Sequence, residues 1–335
     1  MQARALIALV LVLPLAGCGG SGESTSLVGA GSTLVAPLVS QWASDYGKKT
    51  GAMITYGAIG SGGGIAQMTA RTIDFGASDA PLTPNQASAC KDCVQLPWAL
   101  GATLLSYNLK RAPAKLKLSG PVLAGIYLGR ITHWNDPAII RLNPGSKLPA
   151  TPVIPVYRSD GSGDSYAFSD FLAKVSMPWR AKEGVSAQLD LPTGIGGRGN
   201  DGVAAVLGRN NGAIGYLGSS YVFRNKLDYA LIRNQAGKFP VPGPDTITAA
   251  ADAVTAIPPD NAISLTDPPA SAPNAYPIST FTYAIFPASS GRAKALSDFV
   301  TYAIGPGQAF GRKLQFAPLP EQVVSADKRT LARLG

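Results

Sequence analysis

Short apolar strands, glycine-rich turns and amphipathic helices alternate along most of the chain. Apolar side chains recur every four residues from Leu34 to Tyr46 and predict a helix that buries one face. A second helix is predicted from Phe168 to Val175 by the spacing i, i+3, i+4, i+7. Each helix follows a short apolar strand and a turn that contains glycine and serine. Strands that alternate with helices in this way predict an α/β protein with mostly parallel sheets.

The pattern is weaker towards the C-terminus. Residues 234–277 are rich in proline, alanine and aspartate, and they predict one helix over 247–254 in a segment that otherwise has the composition of a loop. A strand is expected at 283–286. Helices over 293–303 and 308–314 are expected to close the chain.

The first residues have the anatomy of an export signal. Arg4 precedes an apolar run, residues 5–15, that is too short for a typical membrane span. The run ends on Leu-Ala-Gly-Cys (15–18), which resembles the lipobox of bacterial lipoproteins. We therefore expect a signal peptide at 1–17, a lipid on Cys18 as the only membrane contact, and a flexible tether at 18–26. The alternative is an ordinary signal peptide with a chance cysteine.

The charge balance favours an anionic partner. The formal net charge is +9, while charged residues make up only 15% of the chain. Together with abundant glycine and proline, this composition is typical of a folded, loop-rich extracytoplasmic protein. A positive excess attracts an anionic ligand or an anionic surface. No basic run with interleaved aromatic residues occurs, so nucleic acid is not an expected partner.

Cys90 and Cys93 form a C-x-x-C pair. In an exported protein such a pair most simply closes a local disulfide. The alternative is a thioredoxin-like redox pair, which would follow a strand and begin a helix, whereas this pair follows a loop rich in proline and alanine. A zinc site would need two further ligands, and His133 is the only histidine. We expect no metal and no cofactor.

Three widely separated turns combine glycine with a hydroxyl residue just before a predicted helix. They carry Ser32-Thr33, Ser61 and Ser162. A helix start offers unpaired backbone N–H groups, glycine lets a ligand approach them, and serine or threonine adds a donor. One such turn is ordinarily a helix cap, but three turns together with Arg158 favour a site for an oxyanion.

The named phosphate motifs do not account for these turns. The P-loop motif G-x-x-x-x-G-K-[ST] does not occur in the sequence. Gly197, Gly199 and Gly202 match G-x-G-x-x-G, but the preceding residues make a poor strand and no acidic residue follows at the expected distance. A nucleotide or dinucleotide site is therefore not predicted.

Seven segments, taken in order, resemble the periplasmic phosphate-binding protein of the Pst-type ABC importer. They are GAGSTL (29–34), YGAIGSGGG (56–64), DFGASDAPL (74–82), IYLGRITHWNDPAI (126–139), YRSDGSGDSYAF (157–168), GGRGNDGVAA (196–205) and GAIGYL (212–217). The resemblance extends over residues 27–324. It implies a periplasmic-binding-protein type II fold with two lobes joined by two crossing strands, each lobe built on a central mixed, mostly parallel sheet with flanking helices.

The resemblance also implies a domain organisation and partners. Lobe I is expected to comprise residues 27–98 and 279–335, and lobe II residues 99–278, with the crossings near 98–101 and 276–279. The implied partners are inorganic phosphate and the permease of an ABC importer. The implied location is the periplasmic or cell-surface side of a bacterial membrane, and a monomer is expected.

Transferred position by position, the resemblance implies a set of phosphate-binding residues from both lobes. They are Thr33, the Leu34 amide, Ser61, Asp79, Arg158, Ser162, the Gly163 amide and Asp164. Asp160 would brace Arg158 without touching the ligand. Replacing Arg158 by alanine is expected to abolish tight binding and leave folding intact.

Two residues of that set, Asp79 and Asp164, are acidic, and their presence beside an anionic ligand has to be explained. Phosphate near neutral pH keeps at least one P–OH group, which can donate a hydrogen bond to the Asp79 carboxylate. Sulfate has no proton to donate, so the carboxylate would repel it. Asp164 stands where the family pattern has threonine. It either turns outward and caps the following helix, which is the interpretation we favour, or accepts a second phosphate proton, which would favour H₂PO₄⁻ and lower pH.

Three other functions fit the sequence less well. A hydrolase is suggested by Gly163-Asp164-Ser165, but a serine mechanism needs a histidine beside the nucleophile, and His133 lies with Trp134 in a different motif. A metal-dependent phosphatase would need clustered histidine and aspartate ligands, so we do not expect an enzyme. Another tetrahedral oxyanion is a second possibility, and here Asp79 argues against sulfate and molybdate and leaves arsenate open. An adhesion or scaffolding lipoprotein without a ligand is disfavoured by the nearly complete ligand set.

Overall fold

The computed structural model describes residues 25–113 and 115–333 of the 335-residue chain. The expected signal peptide (1–17), the lipidated Cys18 and all of the tether up to residue 24 lie outside the described residues. Ser26, expected as the end of the tether, is instead the first residue of a strand. In the described part of the chain, none of the helices has both the length and the apolar character needed to cross a membrane.

The element order alternates strands with helices, as the sequence predicts. The strands are β1 (Ser26–Gly31), β2 (Met53–Ala58), β3 (Phe75–Ser78), β4 (Cys93–Asn108), β5 (Lys117–Leu118), β6 (Ile154–Arg158), β7 (Ile195–Gly197), β8 (Ala213–Gly218), β9 (Asp228–Tyr229), β10 (Leu231–Ile232) and β11 (Ser279–Pro287). The helices are α1 (Ala36–Thr50), α2 (Ser61–Thr69), α3 (Pro84–Cys90), α4 (Gly120–Tyr127), α5 (Pro137–Leu142), α6 (Gly163–Val175), α7 (Met177–Lys182), α8 (Gly199–Arg209), α9 (Ser219–Arg224), α10 (Pro244–Asp252), α11 (Ala293–Ile304) and α12 (Glu321–Leu331). Two 3₁₀ turns follow α11, at Pro306–Phe310 and Arg312–Leu314.

One long strand joins two groups of strands into a mixed sheet. The order is β2-β1-β3-β11-β4-β8-β6-β7, with β9 also paired to β4. The 16-residue β4 lies antiparallel to β11 from Cys93 to Ala102 and antiparallel to β8 from Thr103 to Asn108. We name the two groups lobe I (β1, β2, β3, β11 and the first part of β4) and lobe II (the rest of β4 with β6 to β9). This two-lobed α/β architecture confirms the expected fold class.

Parallel pairing brings the turns that follow the strands to a common edge in each lobe. In lobe I, β1 is parallel to β2 and β3, and in lobe II, β6 is parallel to β7 and β8. Because the carboxyl ends of parallel strands meet at one edge of a sheet, the turns that follow them gather there. The glycine turns predicted from the sequence are among these connections.

Each lobe has an aromatic core that the helices cover. In lobe I, Trp42 of α1 packs edge-on against Trp98, with ring centroids 5.2 Å apart. In lobe II, Phe168 of α6 stacks on Tyr216 of β8 at 4.5 Å. These four side chains are fully buried, and Trp42 and Phe168 lie on the apolar helix faces that the spacing predicts.

Some predicted elements differ from the structure. The helix expected at 247–254 is α10 (Pro244–Asp252), the strand expected at 283–286 is the middle of the longer β11, and the helix expected at 308–314 consists of the two 3₁₀ turns. Helix α12 was not predicted. On β4, the change of pairing partner falls between Ala102 and Thr103, just beyond the predicted crossing.

The C-x-x-C pair and the histidine lie away from the edge where the turns gather. Cys90 and Cys93 are joined by a disulfide between the end of α3 and the start of β4. His133 is exposed, whereas the neighbouring Trp134 is fully buried and its indole Nε1 donates to the Gly212 carbonyl oxygen at 2.9 Å. Trp134 therefore has a packing role in lobe II.

Candidate functional site

The gathered turns of the two lobes meet and bury a set of polar side chains between them. The Gly163 amide of lobe II donates to Ser61 Oγ of lobe I at 3.1 Å, and Tyr221 Oη donates to the Thr33 carbonyl oxygen at 2.8 Å. The polar side chains buried here are Ser32, Thr33, Ser61, Asp79, Thr103, Arg158, Ser162, Asp164, Asn200 and Thr282.

Asp79 is the acidic centre of the lobe I side. It directly follows β3, and its carboxylate accepts hydrogen bonds from Ser32 Oγ at 2.6 Å and from Thr282 Oγ1 at 2.7 Å. Burial, reinforced by the negative charge of Asp164, raises the pKa of Asp79 to about 7, against the opposing effect of the two hydroxyl donors. Asp79 therefore changes protonation state near neutral pH, where phosphate does the same.

Arg158 is the cationic centre of the lobe II side. It is the last residue of β6 and is only 2% exposed. Asp160 holds it in a bidentate pair, with Nε donating to Oδ1 at 2.8 Å and Nη2 donating to Oδ2 at 2.5 Å. Burial favours a higher pKa for Asp160, but the hydrogen bond from Arg158 and its charge outweigh this and keep that pKa below its usual value. This contact is the bracing contact that the sequence resemblance implied.

Asp164 does not turn outward, so the favoured interpretation of this residue was wrong. Its carboxylate is fully buried and accepts from Thr103 Oγ1 at 2.7 Å, from Asn200 Nδ2 at 2.8 Å and from Arg158 Nη1 at 2.9 Å. Ser162 caps α6 instead, because its Oγ accepts from the amide of Asp164. With the cap supplied by a hydroxyl, the carboxylate is free to pair with Arg158. Burial raises the pKa of Asp164, although Arg158 opposes the effect.

Asn200 links the two lobes through its side chain and was missed in the sequence. Its Nδ2 donates both to Thr33 Oγ1 and to Asp164 Oδ2 at 2.8 Å, and its Oδ1 accepts from the Gly218 amide at 2.7 Å. It lies in the segment GGRGNDG (196–202), for which the sequence pattern predicts only a glycine turn. An asparagine directly after Gly199, the third glycine of that turn, was the available signal.

The remaining candidate residues belong to the same hydrogen-bond network. The Leu34 amide donates to Ser32 Oγ at 3.0 Å, which connects it to Asp79. Ser61 Oγ accepts from the Asp79 amide at 3.3 Å as well as from Gly163. The structure thus brings together all eight candidate residues with Asp160. Ser32, which the sequence analysis placed in the first glycine turn, also belongs to it, as do Thr103 and Thr282. The two threonines carried no signal, because a threonine in a strand is common.

The chemistry of this network suits an anion that carries protons. It presents hydroxyl, amide and guanidinium donors together with two buried carboxylate acceptors. No histidine takes part, and Ser165, the nucleophile of the hydrolase alternative, pairs its Oγ with Tyr216 Oη at 2.8 Å. Among the described residues there is no group of three or more histidine, cysteine, aspartate or glutamate side chains placed to hold a metal ion.

Comparisons with known proteins point to one family. The family model described as the PBP superfamily domain matches residues 18–306. The phosphate-binding protein PstS of Xylella fastidiosa (strain Temecula1) is 40% identical over 307 residues, which cover 90% of this chain and 84% of that protein. The phosphate-binding protein PstS of Pasteurella multocida is 38% identical, with 90% and 88% covered.

Solved structures with low sequence identity share the fold. A high-affinity periplasmic phosphate-binding protein, PfluDING, bound with phosphate, aligns with a TM-score of 0.72 at 22% identity and covers 91% of this chain and 93% of that one. A putative phosphate ABC transporter substrate-binding protein from Clostridium perfringens with bound phosphate aligns with a TM-score of 0.65 at 20% identity, and the shares covered are 88% and 100%.

Proposed function

The chain belongs to the PstS family of phosphate-binding proteins within the PBP superfamily, and from this membership we propose that it binds one inorganic phosphate ion between its lobes and delivers it to an ABC importer. The observation that carries the proposal is the buried network in which donors from both lobes surround Arg158 and Asp79. The relatives named as phosphate-binding proteins support the same ligand.

Arg158 supplies the positive charge and the hydroxyl and amide groups complete the shell. A guanidinium carries five N–H donors, and three of them are engaged with Asp160 and Asp164, which leaves two for phosphate oxygens. Thr33, Ser61, Ser162 and the amides of Leu34 and Gly163 are the proposed further donors. A charged donor fixed by a bidentate partner loses little side-chain entropy when the ligand binds.

The two carboxylates select the ligand by accepting hydrogen bonds from its protonated oxygens. We assign Asp79 the role of accepting a P–OH hydrogen bond, which sulfate cannot supply. Asp164 accepts a second proton when phosphate arrives as H₂PO₄⁻, and it also orients Arg158 through the 2.9 Å contact with Nη1. Two acceptors in one buried site therefore select protonated tetrahedral anions.

Capture takes place by closure of the lobes. Because the ligand contacts groups from both lobes, it stabilises the closed arrangement and shifts the population towards it. The strand β4 runs from lobe I into lobe II, the chain returns to lobe I at the start of β11, and we place the lobe boundaries at 98/99 and 278/279. On β4 the pairing partner changes between Ala102 and Thr103, a few residues beyond the proposed boundary at 98/99, and β11 begins at Ser279.

Several further features are part of the proposal. We propose that residues 1–17 are a signal peptide, that Cys18 carries a lipid which anchors the protein on the periplasmic or cell-surface side of a bacterial membrane, and that the protein acts as a monomer without enzymatic activity or nucleic-acid binding. Incorporation of labelled palmitate that is lost in Cys18→Ser tests the anchor. Release of p-nitrophenol from p-nitrophenyl phosphate by pure protein would overturn the assignment as a binding protein.

Calorimetric titration with phosphate and with sulfate tests the ligand assignment. We expect the protein to bind phosphate and to show no heat with sulfate. In Asp79→Asn, phosphate should bind less tightly and sulfate should begin to bind, because the repelling carboxylate is gone. Equal affinity of the unaltered protein for the two anions would overturn the proposal.

A further inference from the structure

Beside the polar network, the two lobes are joined by a direct hydrogen bond between backbone groups. The Gly62 amide, in the first turn of α2, donates to the Gly161 carbonyl oxygen of lobe II at 3.0 Å. A cavity of about 350 Å³ lies on one side of this contact, lined by Gly62, Gly161 and Ser61. A second cavity of about 230 Å³ is lined by Ile59 and by Asp160, which directly precedes Gly161, among others.

Neither glycine leaves room for a side chain. A Cβ atom on Gly62 would lie 3.1 Å from the Gly161 Cα atom, and a Cβ atom on Gly161 would lie 3.2 Å from the Gly62 Cα atom. At such distances the two backbones would have to move apart by a few tenths of an ångström. The contact thus depends on glycine from both lobes at once.

The contact is mechanically tied to proposed ligand groups. Ser61 directly precedes Gly62, and its Oγ accepts from the Gly163 amide, two residues after Gly161, at 3.1 Å. Ser61 Oγ also lies 3.3 Å from the amide of Asp79. Any separation of Gly62 from Gly161 must therefore also widen the distance between Ser61 and Gly163.

We propose that Gly62 and Gly161 form an interlobe latch that sets the rate at which bound phosphate is released. This inference rests on the proposed function. Release requires the lobes to part and the latch to break, whereas the incoming ion meets lobes in which the latch is not yet made. Loss of the latch should therefore act mainly on the dissociation rate, as most interface changes do.

Alanine and valine at position 62 test the latch, and the same substitutions at position 63 are the matched control. The three atoms nearest to a Cβ atom on Gly63 would all belong to the side chain of Ile59 in its own lobe, the first at 3.0 Å. Both positions lie in the first turn of α2, so changes in helix propensity are matched. The readouts are release of radiolabelled phosphate after dilution into unlabelled phosphate, the association rate, and the urea midpoint without phosphate.

We expect Gly62→Ala and Gly161→Ala to release phosphate about two- to tenfold faster, which corresponds to the net contribution of one backbone hydrogen bond. Gly62→Val should release it faster still, and the variants of Gly63 should match the unaltered protein. Combining Gly62→Ala with Gly161→Ala should add little, because either methyl group already parts the same contact.

The other possible results would refute either the latch or the proposed function. Unchanged release in Gly62→Ala, Gly62→Val and Gly161→Ala would refute the latch, as would fully additive effects in the double variant or equal effects at position 63. Since Gly161 lies in a loop and Gly62 in a helix, misfolding of one variant leaves the other as the test. Failure of the unaltered protein to bind phosphate would instead refute the proposed function.

Discussion

Removing Arg158 should destabilise the protein as well as abolish phosphate binding. The guanidinium is 2% exposed and donates three hydrogen bonds of 2.5 to 2.9 Å to Asp160 and Asp164. In Arg158→Ala both carboxylates lose their cation, while Asp164 stays fully buried and the Asp160 side chain stays largely shielded, at 13% exposed. Breaking a buried ion pair by removal of one partner costs about 3–5 kcal/mol. This replaces the expectation from the sequence that folding would stay intact.

The pH dependence of this loss has a definite sign. Arg158 keeps the pKa of Asp160 below its usual value, so in the unaltered protein the pair contributes stability above the normal aspartate range and loses it as pH falls. Arg158→Ala lacks that contribution, and its stranded carboxylates can relieve the cost by taking up protons. The deficit in the free energy of unfolding should therefore be present in full at pH 5 and above and should shrink as pH falls below the normal aspartate pKa of about 3.9.

Urea unfolding in phosphate-free buffer measures this deficit. A matched control is Arg224→Ala, which breaks the exposed pair with Asp201 and should cost at most about 1 kcal/mol. The double variant Arg158→Ala, Asp164→Thr removes one stranded carboxylate and should recover part of the loss. If Arg158→Ala were as stable as Arg224→Ala at pH 7, the account of the buried charges would be wrong.

Three further predictions follow from single residues. Asp164→Thr should weaken phosphate binding at pH 5 more than at pH 8, because the acceptor for the second proton is lost, and an unchanged pH profile in calorimetry would contradict that role. Asp327 is fully buried without a hydrogen-bond partner among the described residues, and burial raises its pKa to about 8, so the native state holds the proton. Relative to the unaltered protein, Asp327→Asn should therefore become more stable as pH rises from about 4 to 8, by up to about 1.4 kcal/mol per pH unit, with no further gain above pH 8. Free energies of unfolding in urea that differ by a constant amount across this pH range would refute the prediction. Arg198 is exposed and lines the 230 Å³ cavity beside Thr33 and Asn200, so Arg198→Gln should slow phosphate association at low salt. Arg209→Gln, at the far end of the same helix, should not, and equal rates in the two variants would exclude steering.

Much of the fold could be predicted from the spacing of apolar residues and from the composition of the turns. The helices α1 and α6 bury the apolar faces that their spacing predicts, and the glycine turns meet between the lobes. Helix α12 was not predicted because one of its three buried positions carries a charged residue. These positions lie four residues apart and are Val323, Asp327 and Leu331. A charged residue at the centre of a buried face hides the amphipathic pattern on which such predictions depend.

Other features depend on contacts that local sequence does not encode. β4 contains Pro97 and Gly101, which ordinarily interrupt a strand, and an irregularity in the pairing with β11 beside Thr282 accommodates the proline. The direction of Asp164 was missed because Thr103 and Asn200, its partners, lie 61 residues before it and 36 residues after it. Side-chain orientation in a buried network is decided by such distant partners.

The position of β11 in the sheet has a consequence for biogenesis. This strand lies between β3 and β4, although some 170 residues separate its start from the end of β4 along the chain. A growing polypeptide therefore leaves the edges of β3 and β4 unpaired until residue 287 has been synthesised, and unpaired edges are prone to aggregate. We expect the nascent chain to resist premature folding and to depend on holding factors. Such a late-closing topology suits passage through a translocation pore in an extended form.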